Sequence, residues 1–133
     1  MNRMNEVLDA AKTIAVVGLS GKRYRPSYGV AEYMKRSGYR IIPVNPHENE
    51  VLGERCYPDL DSIPEAVDIV DIFRRSEFVP DIVEAAIRKG VRAIWMQEGV
   101  FHEAAARRAE AAGIAVVMDR CILKDHRRLE HAS

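Results

Sequence analysis

Continuous apolar runs and helical patterns alternate along this chain. Ile14 to Val17 is apolar throughout and ends at Gly18, as suits a strand buried on both faces. Val30, Met34 and Ser37 then recur at helical spacing, and Gly38 stands where a helix stops. Arg40 to Asn45 predicts a second strand. Pro43 within it lacks a ladder donor, so the strand is expected to be short or to leave that N–H side unpaired. An irregular stretch from Pro46 to Val67 follows, and then a third strand from Asp68 to Phe73. Ser76 is placed to cap the next helix, with Pro80 in its first turn. Val79, Ile82, Val83, Ala86 and Ile87 share one face of that helix, and Gly90 closes it. Arg92 to Gln97 predicts the fourth strand, an alanine-rich helix runs from His102 to Ala112, and Ile114 to Asp119 predicts the fifth strand. A leading helix before Thr13 and one short helix in the tail complete the reading.

This alternation predicts an α/β fold: a doubly wound, parallel, five-stranded Rossmann-like sheet with helices on both faces, because right-handed crossovers place successive helices that way. A single domain over residues 1–133 is expected. In such sheets a ligand lies beyond the carboxyl ends of the strands, where the winding reverses. That rule selects the residues just after Val17, Val44, Phe73 and Met96.

The first tip reads Gly18-Leu19-Ser20-Gly21-Lys22-Arg23-Tyr24-Arg25-Pro26-Ser27. It keeps the first glycine of the dinucleotide pattern G-x-G-x-x-G but has Ser20 at the second and Tyr24-Arg25 near the third, so the match to that pattern is weak. It does supply what a pyrophosphate needs: backbone N–H groups, a helix N-terminus, the Ser20 and Ser27 hydroxyls, and the cations Lys22 and Arg25. The competing reading is a tight strand-to-helix turn with solvated cations. A Cβ branch at Gly18 is expected to fill the pyrophosphate's space while leaving the fold intact.

The second tip, Asn45-Pro46-His47, lacks the acid that usually clamps the ribose diol of NAD, although Glu48 follows. An uncharged tip favours an adenine nucleotide phosphorylated on its ribose, which His47 meets when protonated. At the third tip, Phe73 is a candidate cover for an adenine ring and Arg74 a phosphate ligand, while Arg75 reads equally well as solvated beside Glu77. At the fourth, Gln97 and Glu98 offer polar contacts and Gly99 allows close backbone approach.

Charge sharpens this picture. Twenty Lys and Arg offset twenty Asp and Glu, so no global field serves nucleic acid or membrane, and an anion site has to be local. Cys56 and Cys121 have no zinc or disulfide spacing, which suits a reducing, cytoplasmic setting. No signal-peptide pattern and no apolar run long enough to span a bilayer are present.

The phrases VVGLSGKRYRPSYGVAEYM, GYRIIPVNP, EVLGERCYPDLDSIPEAVDIVDIFRR and AGIAVVMDRC, in this order and spacing, resemble the stand-alone CoA-binding proteins related to the CoA-binding domain of the succinyl-CoA synthetase alpha subunit. The resemblance covers about Val7 to Leu129. It implies coenzyme A on a Rossmann-like sheet, held by Gly18 to Lys22, Asn45-Pro46, Phe73-Arg74 and Gln97 to Gly99. His47 and Glu98 depart from the family pattern: many members carry a basic residue and a leucine there.

No Ser/His/Asp or Cys/His arrangement emerges from His47, His102, His126 or His131. Asp68 and Asp71 are expected on opposite strand faces, Trp95 in the core, and Asp119, Arg120 and Cys121 at the pocket rim. Cys56 and Cys121 are candidates for a mixed disulfide with the CoA thiol, and more simply core filler. The expected function is therefore non-catalytic binding of CoA or acyl-CoA, with a homo-oligomer or an acyl-CoA enzyme as the candidate partner. The alternatives are a small NAD(P)-dependent oxidoreductase or redox sensor, and a regulatory subunit docking on an acyl-CoA enzyme.

Overall fold

Every apolar run of the sequence becomes a strand of one parallel sheet. The computed structural model describes residues 3–132; Met1, Asn2 and Ser133 lie outside the described residues. The main sheet contains β1 (Thr13–Val17), β2 (Arg40–Val44), β5 (Ile69–Ile72), β6 (Ala93–Met96) and β7 (Ala115–Val117) in the order β2-β1-β5-β6-β7. Its helices are α1 (Arg3–Ala10), α2 (Pro26–Arg36), α3 (Val79–Lys89), α4 (Glu103–Ala111) and α5 (Ile122–Ala132).

Strand alternation divides the core between the two faces. Ala15, Val17, Val70, Ile72, Ile94 and Met96 face one side, where α3 brings Val79 and Val83 and α4 brings Ala106 and Ala109. Ile14, Val16, Ile69 and Trp95 face the other, against Leu8 of α1, Met34 of α2 and Ile122 of α5. Trp95 is fully buried, and its Nε1–H donates to the Arg120 carbonyl at 2.9 Å. The chain winds from β1 to β2 on one side and from β5 onward on the other, so the reversal falls between β1 and β5.

Several local expectations are revised. Pro43 is tolerated because β2 is the edge strand of the main sheet. Its outer side is partly covered: Tyr57 N–H donates to the Pro43 carbonyl at 3.0 Å, and Asn45 N–H to the Tyr57 carbonyl at 2.9 Å. The irregular stretch holds a small antiparallel hairpin, β3 (Glu50–Val51) and β4 (Glu54–Arg55). Its turn places Leu52 at φ 56° and Gly53 at φ 75°, the paired positive values of a tight hairpin turn. Ser76 does not cap a helix. It opens a 3₁₀ turn, Ser76–Phe78, and its hydroxyl oxygen accepts from Phe101 N–H at 2.9 Å. The tail helix α5 has 11 residues, longer than expected. The last strand stops at Val117, and Asp119 turns the chain at φ 57°.

Asp68 precedes β5, and its Oδ2 accepts from Lys12 N–H at 2.8 Å and Thr13 N–H at 3.0 Å, pinning the start of β1. Asp71 lies inside β5 in register with Val16 and Trp95.

Candidate functional site

The tips of β1 and β5 meet at Gly18. Its φ is 89°, its N–H donates to the Val44 carbonyl at 2.8 Å, and Phe73 N–H donates to the Val17 carbonyl at 2.8 Å. A Cβ built on Gly18 would lie 2.4 Å from the Phe73 carbonyl oxygen. The need for glycine here therefore comes from strand packing and backbone conformation, and a branched residue disturbs the fold itself. This corrects the expectation that such a change would leave the fold intact.

Two cavities open beyond these tips. The larger, about 800 Å³, is polar on its helix side, where Ser20, Lys22, Arg25 and Ser27 line it. Phe73, Gln97, Glu98, Gly99 and Cys121 also line it. The smaller, about 500 Å³, mixes apolar and charged groups: Pro46, Pro58, Leu60, Phe78, Ile82 and Ala85 line it beside Asp59, Asp61, Asp81 and Arg88. Gly18, Asn45, His47 and Arg74 line both, so the two cavities adjoin over the β1, β2 and β5 tips. All of the residues selected at the tips line one of these cavities except Leu19 and Gly21. The Leu19 side chain is fully buried in the core, which leaves only its backbone near the turn.

The N–H groups of the glycine turn are engaged within the protein, contrary to the expectation of free donors. Ser20 N–H donates to Ser27 Oγ at 3.0 Å, and Lys22 N–H to Ser20 Oγ at 3.1 Å. Gly21 N–H donates to Glu48 Oε2 at 2.7 Å. Helix α2 begins without a side-chain cap, with Pro26 in its first turn, and Pro26 and Ser27 face the larger cavity. The positive end of an 11-residue helix is thus aimed at the polar side of that cavity.

Asn45 ties the second tip to the first. Its Nδ2 donates to the Leu19 carbonyl at 3.0 Å, and its Oδ1 accepts from His47 N–H at 2.9 Å. The Arg74 guanidinium lies over the Phe78 ring, 4.2 Å from its centroid, and Arg75 approaches the same ring at 5.3 Å. Phe73 is half-buried in the larger cavity, whereas the aromatic ring of the smaller one is Phe78. Phe78 escaped sequence reading because it ends a 3₁₀ turn rather than a strand.

The fourth tip is held by the tail. Gln97 Oε1 accepts from Ile122 N–H at 3.1 Å, Glu98 pairs with Lys124 at 3.0 Å, and Gly99 N–H donates to Asp119 Oδ1 at 2.8 Å. Arg120 pairs with the buried Asp125 at 2.8 Å. Gln97 is 4% exposed, so its carbonyl oxygen serves the start of α5.

Burial raises the Cys56 thiol above its usual pKa, and its Sγ donates to the Asn45 carbonyl at 3.4 Å. It is a protonated structural thiol. Cys121 is buried at the floor of the larger cavity. His102 caps α4, its Nδ1 accepting from Ala105 N–H at 3.1 Å, and His126 packs against the rings of Tyr33 and Tyr39. Among the described residues, no group of three or more His, Cys, Asp and Glu is placed to hold a metal ion. No helix among them is long and apolar enough to cross a membrane.

The sequence places Asp71 on a strand face and assigns it no role. It is buried, burial pushes its carboxyl well above the usual range, and its Oδ1 has no hydrogen-bond partner. It lines neither cavity.

The chain is similar to known proteins along almost its whole length. It is 40% identical over 123 residues to the uncharacterized protein YneT of Bacillus subtilis, covering 92% of this chain and 91% of that protein. A solved hypothetical protein from Pyrococcus horikoshii matches with a TM-score of 0.92 and 38% identity, over 96% of this chain and 89% of that one. The ADP-forming acetate–CoA ligase II of Archaeoglobus fulgidus is 30% identical over 101 residues, which are 74% of this chain but 15% of the ligase. The family model described as the CoA binding domain matches residues 12–127, and this chain belongs to that family.

Proposed function

We propose that the chain binds coenzyme A, free or acylated, across the two adjoining cavities and does not transform it. The observation that carries this reading is the shared border. Gly18, Asn45, His47 and Arg74 line both cavities, so one long ligand can run from one into the other. Their volumes of about 500 and 800 Å³ lie within the range of small-molecule sites.

Coenzyme A has three parts to distribute along this crevice. Its adenine suits the smaller cavity, where Leu60, Phe78 and Ile82 offer apolar and aromatic contact. Its diphosphate suits the larger cavity next to the border, lined by Arg74, the α2 N-terminus, Lys22 and Arg25. Its pantetheine arm then runs toward Gln97 and Cys121. His47 lines both cavities, and in this reading it meets the ribose 3′-phosphate. A binding role without chemistry agrees with the use of His102 and His126 in capping and packing. A cytoplasmic location belongs to the same reading. Docking on an acyl-CoA enzyme is the accompanying alternative, since the matching ligases contain a similar segment.

Calorimetric titration with CoA, dephospho-CoA and NADP tests the proposal. CoA should bind more tightly than dephospho-CoA, which lacks the ribose phosphate. NADP binding more tightly than CoA, or hydride transfer to a nicotinamide, would move the chain to the oxidoreductase class.

A further inference from the structure

Glu48 places a negative charge inside a corner that otherwise gathers positive ones. Its half-buried carboxylate accepts from Gly21 N–H at 2.7 Å, between elements 27 residues apart in sequence. Lys22, Arg25, His47 and Arg74 line the same cavity. Glu98, the other acid of that wall, is paired with Lys124 and thereby partly neutralised. The approach of Glu48 depends on the missing side chain of Gly21, since a Cβ there would lie 2.7 Å from Glu48 Oε2. The Glu48 loop is held in turn by the Asn45 Oδ1 contact with His47 N–H, so the contact is set by folded backbone on both sides.

A backbone N–H next to a helix N-terminus is the kind of donor a phosphate oxygen takes. We propose that Glu48 is a resident anion of this corner, an internal competitor that an incoming phosphate group must displace from Gly21 N–H. The consequence is an affinity threshold, the same cost for every phosphate ligand. A small anion has to expel a tethered carboxylate and gains only the phosphate contacts. A nucleotide with a base and a second arm gains contacts in both cavities and can offset that cost. Charge repulsion from Glu48 acts in the same sense. With CoA as ligand the inference rests on the function proposed above; with inorganic pyrophosphate as probe it does not.

The test compares the full-length chain with Glu48→Ala and Glu48→Gln by calorimetry, using CoA and inorganic pyrophosphate separately. Glu48→Ala should bind both probes about tenfold more tightly, the scale of one charge-assisted hydrogen bond released to the ligand. Glu48→Gln, a neutral acceptor, should fall between it and the wild type. In the ligand-free protein the Gly21 amide proton resonance should shift on Glu48→Ala and return toward its original position when pyrophosphate is added. If the wild type binds CoA and Glu48→Ala binds both probes equally or more weakly, Glu48 is a structural support and the inference is overturned while CoA binding stands. If neither protein binds CoA but Glu48→Ala gains pyrophosphate affinity, the role of Glu48 stands and the CoA reading falls. An unmoved Gly21 resonance overturns the inference directly.

Discussion

Gly18 stands directly against the backbone of Phe73: a Cβ on the glycine would lie 2.4 Å from the Phe73 carbonyl oxygen and 3.0 Å from Arg74 Cδ. The two residues directly follow the neighbouring strands β1 and β5, so the winding reversal of the sheet is closed by a contact that only glycine permits. Gly18→Ala must either push the strand tips apart or leave a φ of 89° that side chains resist. The expected cost is about 2–4 kcal/mol, read as a lowered urea midpoint. CoA affinity should fall with it, because Arg74 moves with the β5 tip. An unchanged midpoint would mean that the β1–β5 tips relax freely.

Lys22 and Arg25 line the polar side of the larger cavity beside the uncapped start of α2. Replacing both with alanine removes positive potential without removing a core contact, since both are exposed. CoA binding should weaken about tenfold or more, and its dependence on salt should flatten. Stability should stay within about 0.5 kcal/mol of the wild type. Retention of the full salt dependence in the double variant would assign the phosphate to Arg74 and the backbone instead.

Asp71 makes folding sensitive to pH in a definite direction. Its unfolded carboxyl has a pKa of 3.8, and burial raises the folded value well above that. Below pH ~4 both states are protonated and the residue carries no ionisation penalty. As pH rises, the unfolded chain releases the proton and the folded chain keeps it, so stability falls by about 1.4 kcal/mol per pH unit until the folded pKa is passed. Asp71→Asn removes this term. Urea midpoints of the two proteins should be similar near pH 4 and diverge in favour of the variant by pH 8; parallel profiles would contradict a neutral buried acid.

Gln97 lies in the larger cavity wall but its carbonyl oxygen holds Ile122 N–H at 3.1 Å in a buried contact. Gln97→Ala leaves that donor without its partner, at a cost of about 1–3 kcal/mol. The loss should concentrate at the junction of β7 and α5, where amide exchange of the tail helix would accelerate more than that of α3. Uniform acceleration across the molecule would argue against a local role for this bond.

A doubly wound sheet was legible because burial on both faces writes each strand as a short continuous apolar run, as in Ile14 to Val17 and Ile94 to Met96. Candidate tips followed from topology, and most of the selected residues do line the two cavities. Local rules failed where a competing partner lay far along the chain. Ser76 looked like a helix cap, yet its hydroxyl serves Phe101, 25 residues away. Pro43, by contrast, was read correctly: β2 is a short edge strand, as a residue without a ladder donor requires.

The existence and order of the five parallel strands, the glycine turn and the family signature were determined by the sequence alone, because periodicity and turn chemistry act over a few neighbouring residues. Tertiary structure decided the rest. It brought Glu48 to Gly21, buried Asp71 between Val16 and Trp95, and divided the crevice into two adjoining cavities over the tips of β1, β2 and β5. These relations depend on crossover direction and strand register, which join segments whose separation in sequence carries no information about their contact.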